Sequence, residues 1–139
     1  MYVFSIVMIV ASNILYHIAH KSTPDKINPF VSLIVTYLVA AALSAVALLF
    51  YKSDKGILES LQSLNWTSVL LGISILGLEF GFLAAYRAGW NISVGSLVAN
   101  IALAIALIPV GMTIYKEAFE VSKIFGVVLC IAGLVLINR

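Results

Sequence analysis

The sequence predicts an all-α integral membrane protein with five transmembrane helices and a short interfacial amphipathic segment between the second and third. Three observations carry this. Apolar residues make up 63% of the chain and charged residues 10%, where a soluble domain holds roughly 45–50% and roughly 25%. Mean hydropathy is +1.13. Apolar runs near the length of about 20 residues that crosses a hydrocarbon core about 30 Å thick recur at 2–20, 30–51, 66–87, 92–115 and 122–138. With the spans assigned, no separate soluble domain is left over, so 1–139 is expected to be a single transmembrane domain. The net charge of +2 is small and dispersed, which gives no basis for a nucleic-acid partner. Cys130 is the one cysteine. It cannot form an intrachain disulfide, and in its apolar run it reads as a packed small hydrophobe.

The first run is long for a signal peptide and no basic residue precedes it, so it reads as a span. Its polar residues Ser5, Ser12, Asn13, Tyr16, His17 and His20 follow steps of mostly three, four or seven. They form one stripe on a helix, and such a stripe faces protein or water rather than lipid. His17 and His20 have no nearby acid or thiol, which makes a poor metal site. No metal and no cofactor are expected. The connection KSTPDKINP holds Pro24, Pro29, Asp25 and Asn28, which are turn formers. The Ala-rich centre of the second span suits close helix packing. In the loop that follows, Ile57, Leu58, Leu61 and Leu64 fall at helical spacing opposite Glu59, Gln62 and Ser63. That pattern fits a short helix lying on the membrane surface.

The third span contains Glu79 near its middle. A charge at mid-bilayer costs a few kcal/mol at the least. A chain that keeps it there protonates it, pairs it or turns it into a wet cavity. The bland alternative is a neutral, hydrogen-bonded group that only ties helices together. Phe82 and Tyr86 share its face at steps of three and seven, and an acid beside aromatic rings suits an organic, cationic ligand. Ordinary aromatic packing is the competing reading for Phe82. Gly77 and Gly81 form a GxxxG step, a sign of close helix contact. The short turn at 88–91 makes the third and fourth spans antiparallel neighbours. On the fourth span Ser93, Ser96 and Asn100 share a stripe, and Asn100 lies deep enough to need a hydrogen-bond partner. Pro109 removes a helical hydrogen bond and is expected to kink the span. The fifth span has Gly126, Cys130 and Gly133 on a small-residue face and reads as a packing helix. No nucleophile–base pair is visible, so the chain is not expected to be an enzyme.

The ending Pro109…Glu117…Gly126…Gly133, within IPVGMTIYKEAFEVSKIFGVVLCIAGLVLINR, resembles the close of an EamA domain of the drug/metabolite transporter superfamily. There a proline-kinked fourth helix ends near an acid and a glycine-spaced fifth helix follows. Asn13, in ASNIL, lies where many EamA first helices have a polar pair. The resemblance covers the whole chain as one five-helix repeat. The ending is also similar to the small multidrug resistance proteins, which bind cations and protons through a glutamate in their first helix. Here that region reads Ser12-Asn13, so Glu79 substitutes in charge and not in position.

Most EamA transporters carry two such repeats of opposite orientation, with substrate at the repeat interface near the midplane and alternating access by rocking. The resemblance therefore implies a half-size secondary transporter of a small metabolite or of an amphipathic or cationic compound, proton-coupled, in a bacterial or archaeal plasma membrane. Its partners would be lipid, the substrate and a second copy of itself in an antiparallel homodimer. Ser12, Asn13, Tyr16, His17, Phe82, Tyr86, Ser96 and Asn100 would line the cavity, with Glu79 the coupling group. The alternative is a non-transporting membrane subunit whose polar residues hold helices together.

Charge counting bears on orientation. Five spans put Lys52, Lys55, Lys116 and Lys123 on one side and Lys21, Lys26, Arg87 and Arg139 on the other, four against four of the eight Lys and Arg residues. Orientation follows an excess of Lys and Arg in cytoplasmic loops, and here the excess is zero. Insertion is expected both ways. C-terminal reporters active only inside or only outside the cell should both give signal, shifted strongly by adding or removing one Lys; signal from one alone would rule out an antiparallel homodimer.

Overall fold

A computed structural model of the chain describes residues 2–52, 56–118 and 120–137, and of residues 123 and 124 the backbone alone. Lys55, Arg139 and the expected end of the fifth span at 138 therefore lie outside the described residues, as does the side chain of Lys123. Six helices and no strand are found among the described residues: α1 Tyr2–Ser22, α2 Pro29–Phe50, α3 Ile57–Gln62, α4 Trp66–Arg87, α5 Ile92–Thr113 and α6 Val121–Ile137. Four of them, α1, α2, α4 and α5, are long and apolar enough to cross a membrane. At 17 residues α6 is shorter.

Local chemistry sets the helix ends. Asn28 caps α2 by accepting the Phe30 N–H at 2.9 Å, and Pro29 in the first turn supplies a preset φ with no N–H to orphan. Asn65 does the same for α4, accepting from Thr67 N at 2.9 Å and from Thr67 Oγ1 at 2.6 Å. At the other end of α4, Trp90 N donates to Ala85 O at 3.2 Å and Gly89 N to Tyr86 O at 3.1 Å. This nested pair is the glycine-terminated helix end, and Gly89 has the positive φ of 97° that it requires. α5 stops at Thr113, short of the expected 115. There the Gly111 carbonyl takes the N–H of Tyr115 at 3.2 Å and of Glu117 at 3.0 Å, and Lys116 turns into the left-handed region at φ 53°. Pro109 sits inside α5, where it leaves the Ile105 carbonyl without its helical donor.

The helices gather into two compact units. The first comprises Met1–Lys21 and Ala85–Arg139, and within it α5 packs against α6. The second is Ser22–Ala84. It holds α2, α3 and most of α4, and in it Phe30 and Phe80 stack with centroids 5.3 Å apart and planes 7° from parallel. Few large side chains are buried: Leu33 and Leu83 at 2% exposure, Tyr86 at 3% and His17 at 8%. Along α2, by contrast, Val31, Ile34, Val35 and Leu38 are each more than half exposed. In water such a helix would be driven to collapse. Lipid tails are as apolar as these side chains, so in a bilayer the exposure costs nothing.

Gly89 offers a clean test of the α4 end. An L side chain in left-handed backbone costs about 1–2 kcal/mol. Gly89→Ala should lower stability by that amount in reversible unfolding from micelles. Gly72→Ala, mid-helix with nothing within 4 Å of the added carbon, should be neutral or gain up to about 1 kcal/mol.

Candidate functional site

In the first unit the polar stripe of α1 divides in two. Ser5, Ser12 and Asn13 are exposed, and Asn13 Nδ2 donates to its own helix at Ile9 O, 3.2 Å away. One turn further on, the stripe enters protein. His17 is buried, and its Nδ1 lies 2.8 Å from the Tyr86 hydroxyl. The hydroxyl is the donor when the imidazole carries its proton on Nε2. The rings meet edge to face at 6.0 Å and 85°. Tyr16 flanks the pair, 5.1 Å from His17 and 4.4 Å from His20 between centroids. Three residues predicted to work together, Tyr16, His17 and Tyr86, are thus in one cluster.

Two further residues complete the cluster. Lys21 Nζ donates to Trp90 O at 3.0 Å and to Tyr86 O at 3.4 Å, and it lies 5.8 Å from the Tyr86 ring centroid. A cation at the carbonyl end of α4 complements the helix dipole, and over the ring it gains a cation–π attraction. Gly95 is the second. A Cβ there would lie 3.3 Å from Tyr86 Cε1 and 3.7 Å from Trp90 Cβ, so its missing side chain is the space the Tyr86 ring occupies. Neither was singled out from the sequence. For Lys21 the signal was available as a basic residue at a helix end, whereas nothing in the sequence separates Gly95 from the other glycines of the spans.

The remaining predicted residues of this unit are placed differently. Ser96 Oγ donates to Ile92 O at 2.8 Å and to Ser93 O at 3.2 Å, which satisfies it within its own helix. Asn100 is exposed on the wall of an apolar groove of about 410 Å³, together with Ala104, Ile108, Gly126 and Cys130. An added Cβ at Gly126 or Gly133 meets nothing within 4 Å. The close approach falls at Gly111, where it would lie 2.9 Å from Glu117 Oε2.

In the second unit Glu79 is half-buried on α4, three residues before the half-buried Phe82 and four before the buried Leu83. It is the one acidic residue within the four long apolar helices. Gly77 and Gly81 have nothing within 4 Å of an added Cβ. No group of three or more His, Cys, Asp or Glu residues gathers to hold a metal ion among the described residues.

Helices this apolar, carrying polar groups that are tied to one another or to their own backbone, define an integral membrane protein. The EamA-like transporter family matches residues 1–139. The chain belongs to that family, whose members are transporters rather than enzymes. No curated protein and no solved structure matches it.

The His17–Tyr86 bond can be weighed directly. Tyr86→Phe keeps the ring and strips the hydroxyl, leaving a buried imidazole nitrogen unsatisfied at a cost of about 1–3 kcal/mol. Denaturation of the purified variant in detergent should show a loss of that size, and a similar loss for His17→Phe, with the double variant less than additive.

Proposed function

We propose that the chain is one repeat of a two-repeat secondary transporter, that the other repeat is a second copy in antiparallel orientation, and that Glu79 couples transport to protons. Its substrate is a small metabolite or cationic organic compound. The observation that carries this is the single half-buried carboxylate in the interior of the apolar helices of a transporter-family chain. An ionisable group at that depth is expensive to keep, and in membrane proteins such groups mark ion and substrate pathways. The even distribution of Lys and Arg supports insertion in both orientations.

In this reading α6 is the fifth span. Its 17 residues rise about 25 Å at about 1.5 Å each, which is close to the thickness of the thinner biological bilayers. α3 is the surface segment: Ile57, Leu61 and Leu64 border one groove with Leu48 and Tyr51 at the end of α2. Asn13 and Tyr16 on α1 and Asn100 on α5 face the transport pathway. The glycine faces at Gly77 and Gly81 and at Gly126 and Gly133 are open within the chain, which leaves them for contact with the second copy. Pro109 is the hinge of α5, where a missing hydrogen bond lowers the cost of bending.

Glu79→Gln tests the coupling. The amide keeps the shape and hydrogen-bonding capacity and loses the exchangeable charge. In proteoliposomes screened against amines, amino acids and nucleosides, the wild-type chain should accumulate its substrate against a gradient only when a pH gradient is imposed. The Gln variant should fold and dimerise normally and lose that dependence entirely. Wild-type pH dependence in the variant would refute the assignment, and absence of any uptake by the wild-type chain would favour a non-transporting subunit.

A further inference from the structure

The 2.8 Å contact between the Tyr86 hydroxyl and His17 Nδ1 can be made in two ways. Either the hydroxyl donates to a nitrogen lone pair, or a protonated Nδ1 donates to the hydroxyl oxygen. The surroundings favour the first. Lys21 Nζ lies 5.8 Å from the Tyr86 ring centroid, a cation attracted by the ring's electrons. It draws density from the phenol, which makes the hydroxyl a better donor and a poorer acceptor. A hydroxyl that accepted here would also have to place its own proton elsewhere among buried side chains, since Tyr86 is 3% and His17 8% exposed.

The charges around the pair decide what an added proton does. On α1, His20 and Lys21 follow His17 by three and four residues, the spacing that puts side chains on one helix face. At the corner, Arg87 follows Tyr86 directly. The acids of this unit among the described residues, Glu117 and Glu120, come after α5. The 22 residues of α5 carry the chain about 33 Å from the corner, at about 1.5 Å each. Asp25 stands four residues beyond Lys21, in the connection to α2. An imidazolium at His17 therefore adds a charge of the same sign as Lys21. It also turns the acceptor at Nδ1 into a second donor, facing the hydroxyl that had donated to it.

We infer that His17 is a proton-binding site separate from Glu79, and that proton uptake at Nδ1 unties the C-terminal turns of α1 from the α4–α5 corner. The proton comes from water and takes the Nδ1 lone pair; no covalent bond between heavy atoms changes. Histidine is the side chain whose unperturbed titration falls between about pH 5 and 8, and protonation of buried histidines is an established way to switch a packed contact. The tie to Tyr86 exists on the alkaline side of the His17 titration and is lost as pH falls through it, leaving Lys21 on its two carbonyls. Neither Glu79 nor a second copy of the chain enters this inference, so it stands or falls apart from the transport reading.

Magic-angle-spinning NMR of the full chain with ¹⁵N-labelled histidine, in phosphatidylcholine bilayers titrated from alkaline to acid pH, tests the first half. Signals lost in His17→Gln belong to His17. At alkaline pH they should show a bare Nδ1 and a protonated Nε2, and in acid both nitrogens protonated. The second half is read from spin labels on Ile14→Cys and Leu103→Cys in a Cys130→Ala background, both positions more than half exposed. The narrow α1–α5 distance distribution at alkaline pH should be lost in step with the His17 titration. Glutamine keeps an acceptor for the hydroxyl and takes no proton, so in His17→Gln the narrow distribution should persist into acid. In Glu79→Gln the response should be that of the wild-type chain. An Nδ1–H imidazole at alkaline pH would overturn the proposal, as would a distance unmoved by His17 protonation. A response that survives His17→Gln and disappears in His20→Gln, or one that disappears in Glu79→Gln, would place the proton elsewhere and overturn it equally. If His17→Gln does not fold, the wild-type tautomer and the match between titration and distance still decide.

Discussion

Hydrocarbon supplies no hydrogen-bond partners, and nearly every polar contact in this chain is an answer to that constraint. Helix formation satisfies the backbone along each span. The ends are finished by Asn28, by Asn65 and by the glycine-terminated turn at Gly89. Serines and threonines inside the helices fold back on carbonyls one turn away. These local solutions hold each helix together, but they contribute nothing between helices, where lipid and protein are equally good solvents for an apolar side chain.

The polar ties between distant parts of the chain are correspondingly informative. In the first unit, the C-terminal turns of α1 are held to the α4–α5 corner by the His17–Tyr86 bond and by Lys21 on two carbonyls. The corner is itself pinned by Gly89, and the Tyr86 ring has its place because Gly95 has no side chain. A single aromatic residue is therefore packed, hydrogen-bonded and capped by a cation at once. The described residues of the N-terminal half of α1 are exposed.

The Tyr37 hydroxyl stands outside these solved cases, buried without a hydrogen-bond partner among the described residues. Among the described residues nothing fills the space at Gly77 and Gly81 on α4, which is what a helix needs if its closest neighbour belongs to another copy.

Composition and periodicity were enough to determine that the chain is helical and membrane-embedded, because burial in lipid demands long, nearly uncharged helices and the 3.6-residue period shows in any such segment. The ends of α2 and α4 were legible for the same local reason, since Asn-Pro and Ala-Gly-Trp write their caps into the sequence. The end of α5 was not. It depends on the Gly111 carbonyl and on Lys116 in a left-handed conformation, which a propensity pattern does not register. The polar stripe of α1 was visible as a stripe. That His17 bonds Tyr86 while Asn13 bonds its own helix was decided by tertiary structure, because residues 69 positions apart meet only through packing. The same holds for Tyr37, whose hydroxyl is left buried without a partner among the described residues. The sequence by itself determined which groups would be costly in lipid. Only the tertiary structure decided which of those costs were met, since a hydrogen bond depends on position within a few tenths of an ångström and spacing along a chain does not carry that information.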